Sequence, residues 1–293
     1  MSFSIKNLLP WRRKRQPSKI VALVAARNEG AKLTVSLKAL ACHTDAIIYL
    51  DDCSTDNSLH YVETCREECR IERILTKDQW KRDEPGDRNR LLQAGREIGG
   101  THFIVIDADE ALTSNFLIGD HLRKLILGLS PGDAFSLPWI HLWRSTQVYR
   151  VDGTMGVHHY KKCIFCDDGK SVYESDFIHT PRVPKMKGKR IRLSLPYGLL
   201  HFQCLNWENI TLKQQWYAWM ERVEKPERQE ELIARYQNRE DETECKTEAC
   251  PKEWLKYYPF FDTAPFALPD QWRLEQMKEW EKAKGREYFS GLF

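Results

Sequence analysis

The fold is decided by the stretch Lys19-Ile-Val-Ala-Leu-Val-Ala-Ala26, which leads directly into the polar residues Arg27-Asn-Glu29. A short, continuous apolar run is typical of a strand that is covered on both faces. Residues 30–41 follow with leucines at helical spacing, and Ala46-Ile-Ile-Tyr-Leu50 is a second apolar run. Strands that alternate with helices predict right-handed crossovers and a mostly parallel sheet.

The alternation of strand and helix continues to about residue 106, with helices predicted over 58–70 and 88–98 and strands over 71–75 and 102–106. After about residue 130 the pattern changes to strands and turns. From residue 207 onward the chain is rich in Trp, Glu, Lys and Arg and is predicted to be helical, over 209–223, 227–236 and 271–284. The fold class is therefore α/β: a Rossmann-like, mostly parallel sheet flanked by helices, then a mixed α+β region and a helical C-terminus. The predicted segments are 1–18, 19–130, 131–205 and 206–293.

The composition predicts a folded protein without a membrane span. The chain has 293 residues, 42% of them hydrophobic, and its net charge of +3 gives no reason to expect a nucleic-acid partner. The longest apolar run, Ile20–Ala26, is far shorter than the ~20 residues that cross a bilayer. The nine cysteines are scattered, and no secretory signal is recognisable, so we expect reduced thiols and a cytoplasmic location.

The N-terminal segment, residues 1–18, carries the basic cluster Trp11-Arg-Arg-Lys-Arg15. Two interpretations stay open for this cluster. It is either a solvated tail or a patch that makes peripheral contact with anionic lipid headgroups, which attract basic residues close to a membrane.

Polar clusters follow three of the predicted strands: Arg27-Asn-Glu29, Asp51-Asp52 and Asp107-Ala-Asp109-Glu110. Ligands of open α/β sheets bind at the carboxyl ends of the strands, so these clusters are candidate site residues. Carboxylates gathered at one edge raise one another's pKa unless a cation lies between them. A divalent cation bound together with a phosphate-bearing ligand is the simplest such cation.

Asp107 and Asp109 are two residues apart, and in an extended segment such residues face the same side. Both carboxylates could then reach one metal ion. The alternative is that they cap a helix or lie in a solvated turn after the strand.

Four blocks of the sequence together resemble the family 2 glycosyltransferases of the GT-A fold. They occur in the order and at the spacing usual for that family, and the resemblance covers about residues 19–115. The blocks are Val24-Ala-Ala-Arg-Asn-Glu29, Ile48-Tyr-Leu-Asp-Asp-Cys-Ser-Thr-Asp-Asn-Ser58, Arg88-Asn-Arg-Leu-Leu-Gln-Ala-Gly95 and Phe103-Ile-Val-Ile-Asp-Ala-Asp-Glu-Ala-Leu112.

The resemblance implies a nucleotide-sugar site and a metal site. The segment Ala26–Glu29 and the pair Asp51-Asp52 would hold the base and ribose, with Asp52 accepting from the imide N–H of uracil. Arg88 would lie near the diphosphate; the alternative for Arg88 is a surface ion pair with a nearby carboxylate (Asp83, Glu84 or Asp87). Asp107 and Asp109 match the Asp-x-Asp metal motif. The implied nucleotide-sugar-binding residues are Ala26, Arg27, Glu29, Asp51, Asp52, Arg88, Asp107 and Ala108.

One residue departs from the family pattern. Cys53 stands where the family usually has glycine. This departure bears on the backbone conformation of the local turn. It does not bear on the roles of the neighbouring carboxylates.

The second half of the chain would complete the site. GT-A enzymes often use a late histidine as a metal ligand, and His201 suits that role, with a buried core histidine as the alternative and His158, His159 and His179 as rivals. Carboxylates with one imidazole favour Mn²⁺ or Mg²⁺. For the general base, Asp176 and Glu174 lie about where the family places it; the alternative is a surface turn, and Asp152 is a third candidate. Five tryptophans are candidate sugar-stacking platforms or core residues: Trp139, Trp143, Trp207, Trp216 and Trp219.

We therefore expect a metal-dependent, inverting glycosyltransferase of the hexosyltransferase type that acts in glycan biosynthesis. Its donor would be a nucleotide sugar, with UDP-linked sugars favoured, and its acceptor a hydroxyl of a glycan, lipid-linked intermediate, protein or small molecule. A nucleotidyltransferase is one alternative, although the residues after the first strand, Arg27–Gly30, do not resemble its phosphate loop. A non-catalytic carbohydrate- or lipid-surface-binding protein is the other, and the oligomeric state stays open.

Overall fold

The computed structural model describes residues 18–152, 160–174, 180–228, 230–232 and 245–292. The predicted basic tail, apart from Ser18, lies outside these residues, as does half of the helix predicted over 227–236.

The structure contains a large sheet and a small one. The strands are β1 (Ile20–Ala26), β2 (Ala46–Asp51), β3 (Ile71–Thr76), β4 (His102–Val105), β5 (Glu110–Leu112), β6 (Ala134–His141), β7 (Val148–Arg150), β8 (Tyr160–Cys166), β9 (Arg190–Arg192), β10 (Leu199–His201) and β11 (Thr247–Ala249).

Helices connect and cover the strands. They are α1 (Lys32–Ala41), α2 (Ser58–Thr64), α3 (Glu84–Glu97), α4 (His121–Leu127), α5 (Trp207–Glu224), α6 (Glu253–Lys256) and α7 (Gln271–Lys284), with short 3-10 helices at Ser114–Asp120, Gln203–Leu205, Pro226–Arg228, Ala264–Ala267 and Arg286–Phe289. None of the helices in the described ranges is long and apolar enough to span a bilayer.

The large sheet has the strand order β3-β2-β1-β4-β8-β6-β10-β5, with β9 also paired to β6. The pairs β1–β2, β1–β4, β2–β3, β6–β9 and β6–β10 are parallel, whereas β8 is antiparallel to both β4 and β6, and β5 is antiparallel to β10. The carboxyl ends of β1, β2, β4, β6 and β10 therefore meet at one edge, together with the amino ends of β8 and β5. The predicted α/β class with a mostly parallel sheet flanked by helices is confirmed.

The first strand shows why the sheet is covered on both faces. Ile20, Ala22 and Val24 pack into one core cluster with α1, α2 and α4, whereas Val21 and Leu23 pack into a second cluster with α3. Successive side chains of a strand point to opposite faces, so an unbroken apolar run is needed when both faces are buried.

The boundaries of two predicted helices differ from the sequence pattern. The helix that begins at Ser58 ends at Thr64 and not at Arg70, because the chain turns back into β3 and Arg70 has a positive φ of 54°. Helix α3 begins at Glu84 and not at Arg88, because the Asp83 side chain caps it by accepting from the Gly86 N–H (3.0 Å).

The segments predicted at 19–130 and 131–205 contribute to one continuous sheet. Strand β5 of the first segment pairs with β10 of the second. The C-terminal segment packs Trp254, Tyr258 and Phe266 against Leu200 and Phe202, which buries all five side chains. The segment boundaries themselves stay a prediction.

Candidate active site

A cleft of about 510 Å³ lies along the edge where the parallel strands end. It brings together most of the residues predicted to bind a nucleotide sugar, from the ends of β1, β2 and β4 and from α3. The predicted residues that line it are Ala26, Arg27, Glu29, Asp52, Arg88, Asp107, Ala108 and Asp109.

Two side chains fix the loops after β1 and β2 against each other. Asn28 has a φ of 55°, in the left-handed region that asparagine tolerates, and its Oδ1 accepts from the Thr55 N–H (2.7 Å). The buried Ser58 hydroxyl accepts from the N–H groups of Glu29 (3.0 Å) and Gly30 (2.9 Å). These bonds satisfy polar groups of both loops and hold the cleft floor in one conformation.

The turn after β2 has the backbone conformation that a glycine position requires. Cys53 has a φ of 57°, in the left-handed region, and its thiol donates to the Lys77 carbonyl (3.3 Å). A non-glycine residue in this region carries roughly 1–2 kcal/mol of strain. The turn is therefore formed although position 53 carries cysteine and not glycine, and Cys53 adopts the left-handed conformation.

The predicted base-and-ribose acids have different surroundings. Asp51 is buried, does not line the cleft, and accepts from the Ser54 N–H (2.8 Å). Asp52 lines the cleft and pairs with Lys77 (2.6 Å), which also pairs with Asp87 (2.9 Å). Burial alone would lower the pKa of Lys77, but hydrogen bonds to these two carboxylates raise it. Asp52 is thus oriented by Lys77, whereas the contact of Asp51 lies within the turn itself.

Asp107 is held by an arginine from the second half of the chain. Arg182 is buried and donates to Asp107 (2.6 Å) and to both carboxylate oxygens of Glu110 (2.7 and 2.9 Å). Glu110 is fully buried and also accepts from Trp139 Nε1 (2.7 Å). Desolvation would raise the pKa of Asp107, but Arg182 and Arg88 outweigh it and hold the pKa below its ordinary value.

Asp109 lies between a lysine and a histidine. Its Oδ2 is 3.7 Å from Lys213 Nζ and 3.4 Å from His201 Nε2. Desolvation would raise its pKa, but Lys213 and His201 hold it well below the ordinary value. Both carboxylates of the Asp-x-Asp pair are therefore ionised at neutral pH.

These contacts correct the charge argument for a metal ion. The cations between the carboxylates are Arg182 and Lys213 of the chain itself, so charge balance alone does not require a divalent ion. In the described ranges no group of three His, Cys, Asp or Glu side chains is close enough to hold a metal. Asp107, Asp109 and His201 are therefore not gathered as the predicted three-ligand cluster.

The two aspartates still fit a hard cation as a pair. Asp107 and Asp109 each use Oδ2 in the contacts above, and within the described part of the chain their other oxygens have no protein partner. Ionised carboxylate oxygens suit Mg²⁺ or Mn²⁺, which take their remaining ligands from phosphate and water.

His201 belongs to a buried aromatic cluster next to Asp109. Its Nδ1 lies 3.1 Å from His141 Nδ1, and the Trp139 ring stacks on it at 4.7 Å. Burial lowers the pKa of His141 well below its ordinary value, so His141 is neutral. The surroundings match the core-histidine alternative, and His201 does not line the cleft; metal ligation by His201 stays a prediction.

Arg88 faces the cleft and does not form the surface ion pair considered as its alternative. Asp87 pairs with Lys77, and Asp83 caps α3. Among the described residues, the buried Arg88 Nε has no hydrogen-bond partner. Its charge acts on Asp107 across the cleft.

Among the described residues, no general-base candidate lines the cleft. Asp176 lies outside those residues, as do His158, His159 and His179. Glu174 is exposed and does not line the cleft. Asp152 is buried in an ion pair with Arg150 (2.6 Å). The assignment of the base to Asp176 or Glu174 stays a prediction.

Of the candidate sugar-stacking tryptophans, Trp216 lines the cleft. Trp139 does not line the cleft, and its ring packs against His141 and His201. The other three do not line the cleft and pack into apolar clusters, as the core interpretation predicts: Trp143, Trp207 and Trp219.

Sequence reasoning missed the cations that balance the site. Lys77, Arg182 and Lys213 lie far from one another and from the acidic motifs in the sequence, and no spacing pattern marks them. Glu110 was noted only as part of an acidic run. The one available signal was the excess of carboxylates at the sheet edge, which requires cations but does not say which.

Comparison with known proteins finds no matching family model and no matching curated protein. Solved structures similar to this chain include S. aureus TarS 1-349 in complex with UDP, with 20% identity and a TM-score of 0.35 over 41% of this chain and 36% of that chain. The chain spans 22% of the longer TarS structure.

Two further structures are similar at lower identity. The mannosyltransferase PcManGT from Pyrobaculum calidifontis, in complex with GDP-Man and Mn²⁺, has 12% identity and a TM-score of 0.45 over 90% of this chain and 74% of that chain. A 4-diphosphocytidyl-2C-methyl-D-erythritol synthase has 13% identity and a TM-score of 0.34 over 52% of this chain and 77% of that chain. These similarities are too weak to assign the chain to a family.

Proposed function

We propose that this protein is a metal-dependent glycosyltransferase that moves a sugar from a nucleotide sugar to a hydroxyl acceptor with inversion. UDP-linked sugars are the favoured donors, and glycan, lipid-linked and protein acceptors fit equally. The observation that carries the proposal is the gathering of Arg27, Asp52, Arg88, Asp107 and Asp109 in one cleft at the carboxyl ends of the parallel strands.

The two halves of the donor would meet different parts of the cleft. Asp52, oriented by Lys77, would accept from the imide N–H of the base, beside Arg27 and Glu29. Arg88, whose buried Nε has no partner among the described residues, would contact the diphosphate and offset the charge of the leaving group. These residues hold the donor so that its anomeric carbon faces the acceptor.

Asp107 and Asp109 would hold a divalent cation, Mn²⁺ or Mg²⁺, which when bound supplies charge neutralisation for the diphosphate. Arg182 and Lys213 keep both carboxylates ionised and fixed before any ligand arrives. An inverting reaction also needs a base within reach of the acceptor hydroxyl, and Asp176 or Glu174 is proposed for that role. Free thiols at Cys42, Cys65, Cys69, Cys163, Cys166 and Cys204 support the proposal of a reducing, cytosol-like location.

The test is release of nucleoside diphosphate from a panel of UDP-, GDP- and ADP-linked sugars, with Mn²⁺ and with a chelator. We expect one nucleotide to be released, and the chelator to abolish the release. Release that survives the chelator would remove the metal from the proposal but leave the transferase.

The same assay separates the alternative functions. Formation of pyrophosphate from a nucleoside triphosphate and a sugar phosphate, without diphosphate release, would identify a nucleotidyltransferase. Binding of a sugar nucleotide without turnover under any condition would identify a non-catalytic binding protein.

A further inference from the structure

One wall of the cleft is a row of alternating indole rings and guanidinium groups. Arg27 Cζ lies 4.5 Å from the centre of the Trp80 ring and 5.7 Å from that of Trp272. Arg273 Cζ lies 4.4 Å from the Trp272 ring and 5.6 Å from the Trp216 ring. We call these five residues the Trp–Arg row; all of them line the cleft, and the row connects the end of β1 with α5 and α7.

Several hydrogen-bond donors of the Trp–Arg row are buried and unused. Within the described part of the chain, no partner exists for Arg27 Nε and Nη1, for Trp272 Nε1 or for Arg273 Nε. Arg273 as a whole is only 5% exposed. A buried donor without an acceptor carries its full desolvation penalty, so this concentration of donors in one cleft points to a ligand that supplies acceptors.

The row also carries positive charge in excess. Both guanidinium groups flank the same Trp272 ring. Arg273 is paired with Asp270, but Arg27 forms no ion pair among the residues described and is attracted by Asp51 and Asp52 only at longer range. An anion with several acceptor oxygens would satisfy both the charge and the donors.

We propose that Arg27, Trp272 and Arg273 form a binding subsite for a phosphoryl group, so that helix α7 of the C-terminal segment is part of the ligand site. The identity of the biological ligand rests on the proposed function. The choice of a phosphoryl group rests on the buried donors that have no acceptor among the described residues. The phosphoryl group belongs either to the diphosphate of the donor or to a phosphate of the acceptor. Trp80 and Trp216 hold the two arginines in place by stacking.

The test is isothermal titration of the full chain with three probes: inorganic pyrophosphate, a nucleoside diphosphate with Mn²⁺, and glycerol 3-phosphate. The variant Trp272→Phe keeps an aromatic ring between the two arginines and removes the indole N–H together with the five-membered ring that carries it. Trp280→Phe is the matched control, because Trp280 lies on the same helix and does not line the cleft. Arg27→Lys keeps the charge and removes the planar donor group.

We expect Trp272→Phe and Arg27→Lys each to weaken pyrophosphate binding about tenfold, and Trp280→Phe to leave it unchanged. A parallel loss with the nucleoside diphosphate assigns the subsite to the donor, and a loss with glycerol 3-phosphate instead assigns it to the acceptor. Either result supports the subsite.

The subsite is overturned if the unmodified protein does not bind pyrophosphate, or if both variants bind every probe as the unmodified protein does. In the second case the proposed function stands whenever the nucleoside diphosphate binds. If pyrophosphate binds through Trp272 but no nucleoside diphosphate binds, the subsite stands and the proposed function fails.

Discussion

Different residues orient the two carboxylates of the Asp-x-Asp pair and keep them ionised. Asp107 is oriented by Arg182, which is itself anchored on the buried Glu110, whereas Asp109 lies between Lys213 and His201. Each carboxylate keeps its charge because a cation from the second half of the chain is close by. The acidic motif in the first half therefore depends on residues that are about 70 or more positions away in the sequence.

Replacement of Asp109 by asparagine tests the role of this carboxylate. Asp109→Asn keeps the shape of the side chain but removes the charge that a divalent ion and Lys213 would share, so we expect turnover to fall at least about 100-fold. The melting temperature should fall by only a few degrees. Asp120→Asn is the control, because Asp120 is exposed, lies away from the cleft and has a φ of 55° that asparagine accepts. Equal turnover in both variants would contradict the account.

Arg182 is predicted to be essential for stability as well as for the site. Arg182→Met would leave the fully buried Glu110 without its cation, at a cost of about 3–5 kcal/mol in the free energy of unfolding. The second substitution Glu110→Gln removes the uncompensated charge and should recover a large part of that loss. Urea denaturation of both single variants and the double variant measures the coupling; additive losses would show that the pair is not coupled.

At the scale of elements, the cleft floor is made by the two loops after β1 and β2. Ser58, the first residue of α2, holds the first loop through two hydrogen bonds. The acidic and asparagine residues of these loops were predictable, because strand ends were visible as breaks in apolar runs. The hydrogen bonds between the loops were not predictable, because no sequence pattern shows from which N–H groups a serine hydroxyl will accept.

We predict that Ser58→Ala destabilises the protein by about 2 kcal/mol, because two backbone N–H groups lose their acceptor. The affinity for a nucleoside diphosphate should fall with it, since Glu29 lines the cleft. Ser36→Ala is the matched control: Ser36 is also buried, but its hydroxyl donates to carbonyls of the preceding helical turn, those of Lys32 (3.1 Å) and Leu33 (3.4 Å). Equal unfolding free energies of the two variants in urea would contradict this prediction.

The strands and helices of the first half were predictable because their apolar patterns are continuous. The runs Ile20–Ala26 and Ala46–Leu50 are buried on both faces and became β1 and β2. The antiparallel β8 between β4 and β6 was not predictable, since its pairing depends on contacts far apart in the sequence. The same long-range dependence hid Arg182 and Lys213, the cations of the site.

At the scale of the whole molecule, one buried contact joins three distant parts of the chain. Tyr258 of the C-terminal segment donates to the Leu112 carbonyl (3.0 Å), so its oxygen is left to accept from His43 Nε2 (2.6 Å) at the end of α1. His43 is therefore neutral with its proton on Nε2, and burial lowers its pKa to about 3.

This histidine predicts an acid-sensitive stability. The folded pKa lies below the ordinary value of about 6.5, so the unfolded chain binds the proton first and stability is lost as the pH falls below about 6.5. His43 alone should remove about 2 kcal/mol from the free energy of unfolding between pH 6.5 and pH 5. Urea denaturation at both pH values measures the loss, which should be smaller by that amount in His43→Gln. An identical loss in both proteins would show that the pKa of His43 is not lowered in the folded state.

The cleft is proposed to bind a nucleotide through its carboxylates and arginines. The most direct measurement is a thermal-shift titration of the full chain with UDP, GDP, CDP and ADP, each with and without Mn²⁺. We expect one nucleotide to raise the melting temperature by about 5 °C or more at saturation, Mn²⁺ to enlarge the shift, and Asp109→Asn to remove the enlargement. No shift with any of the four nucleotides, with or without Mn²⁺, would contradict it.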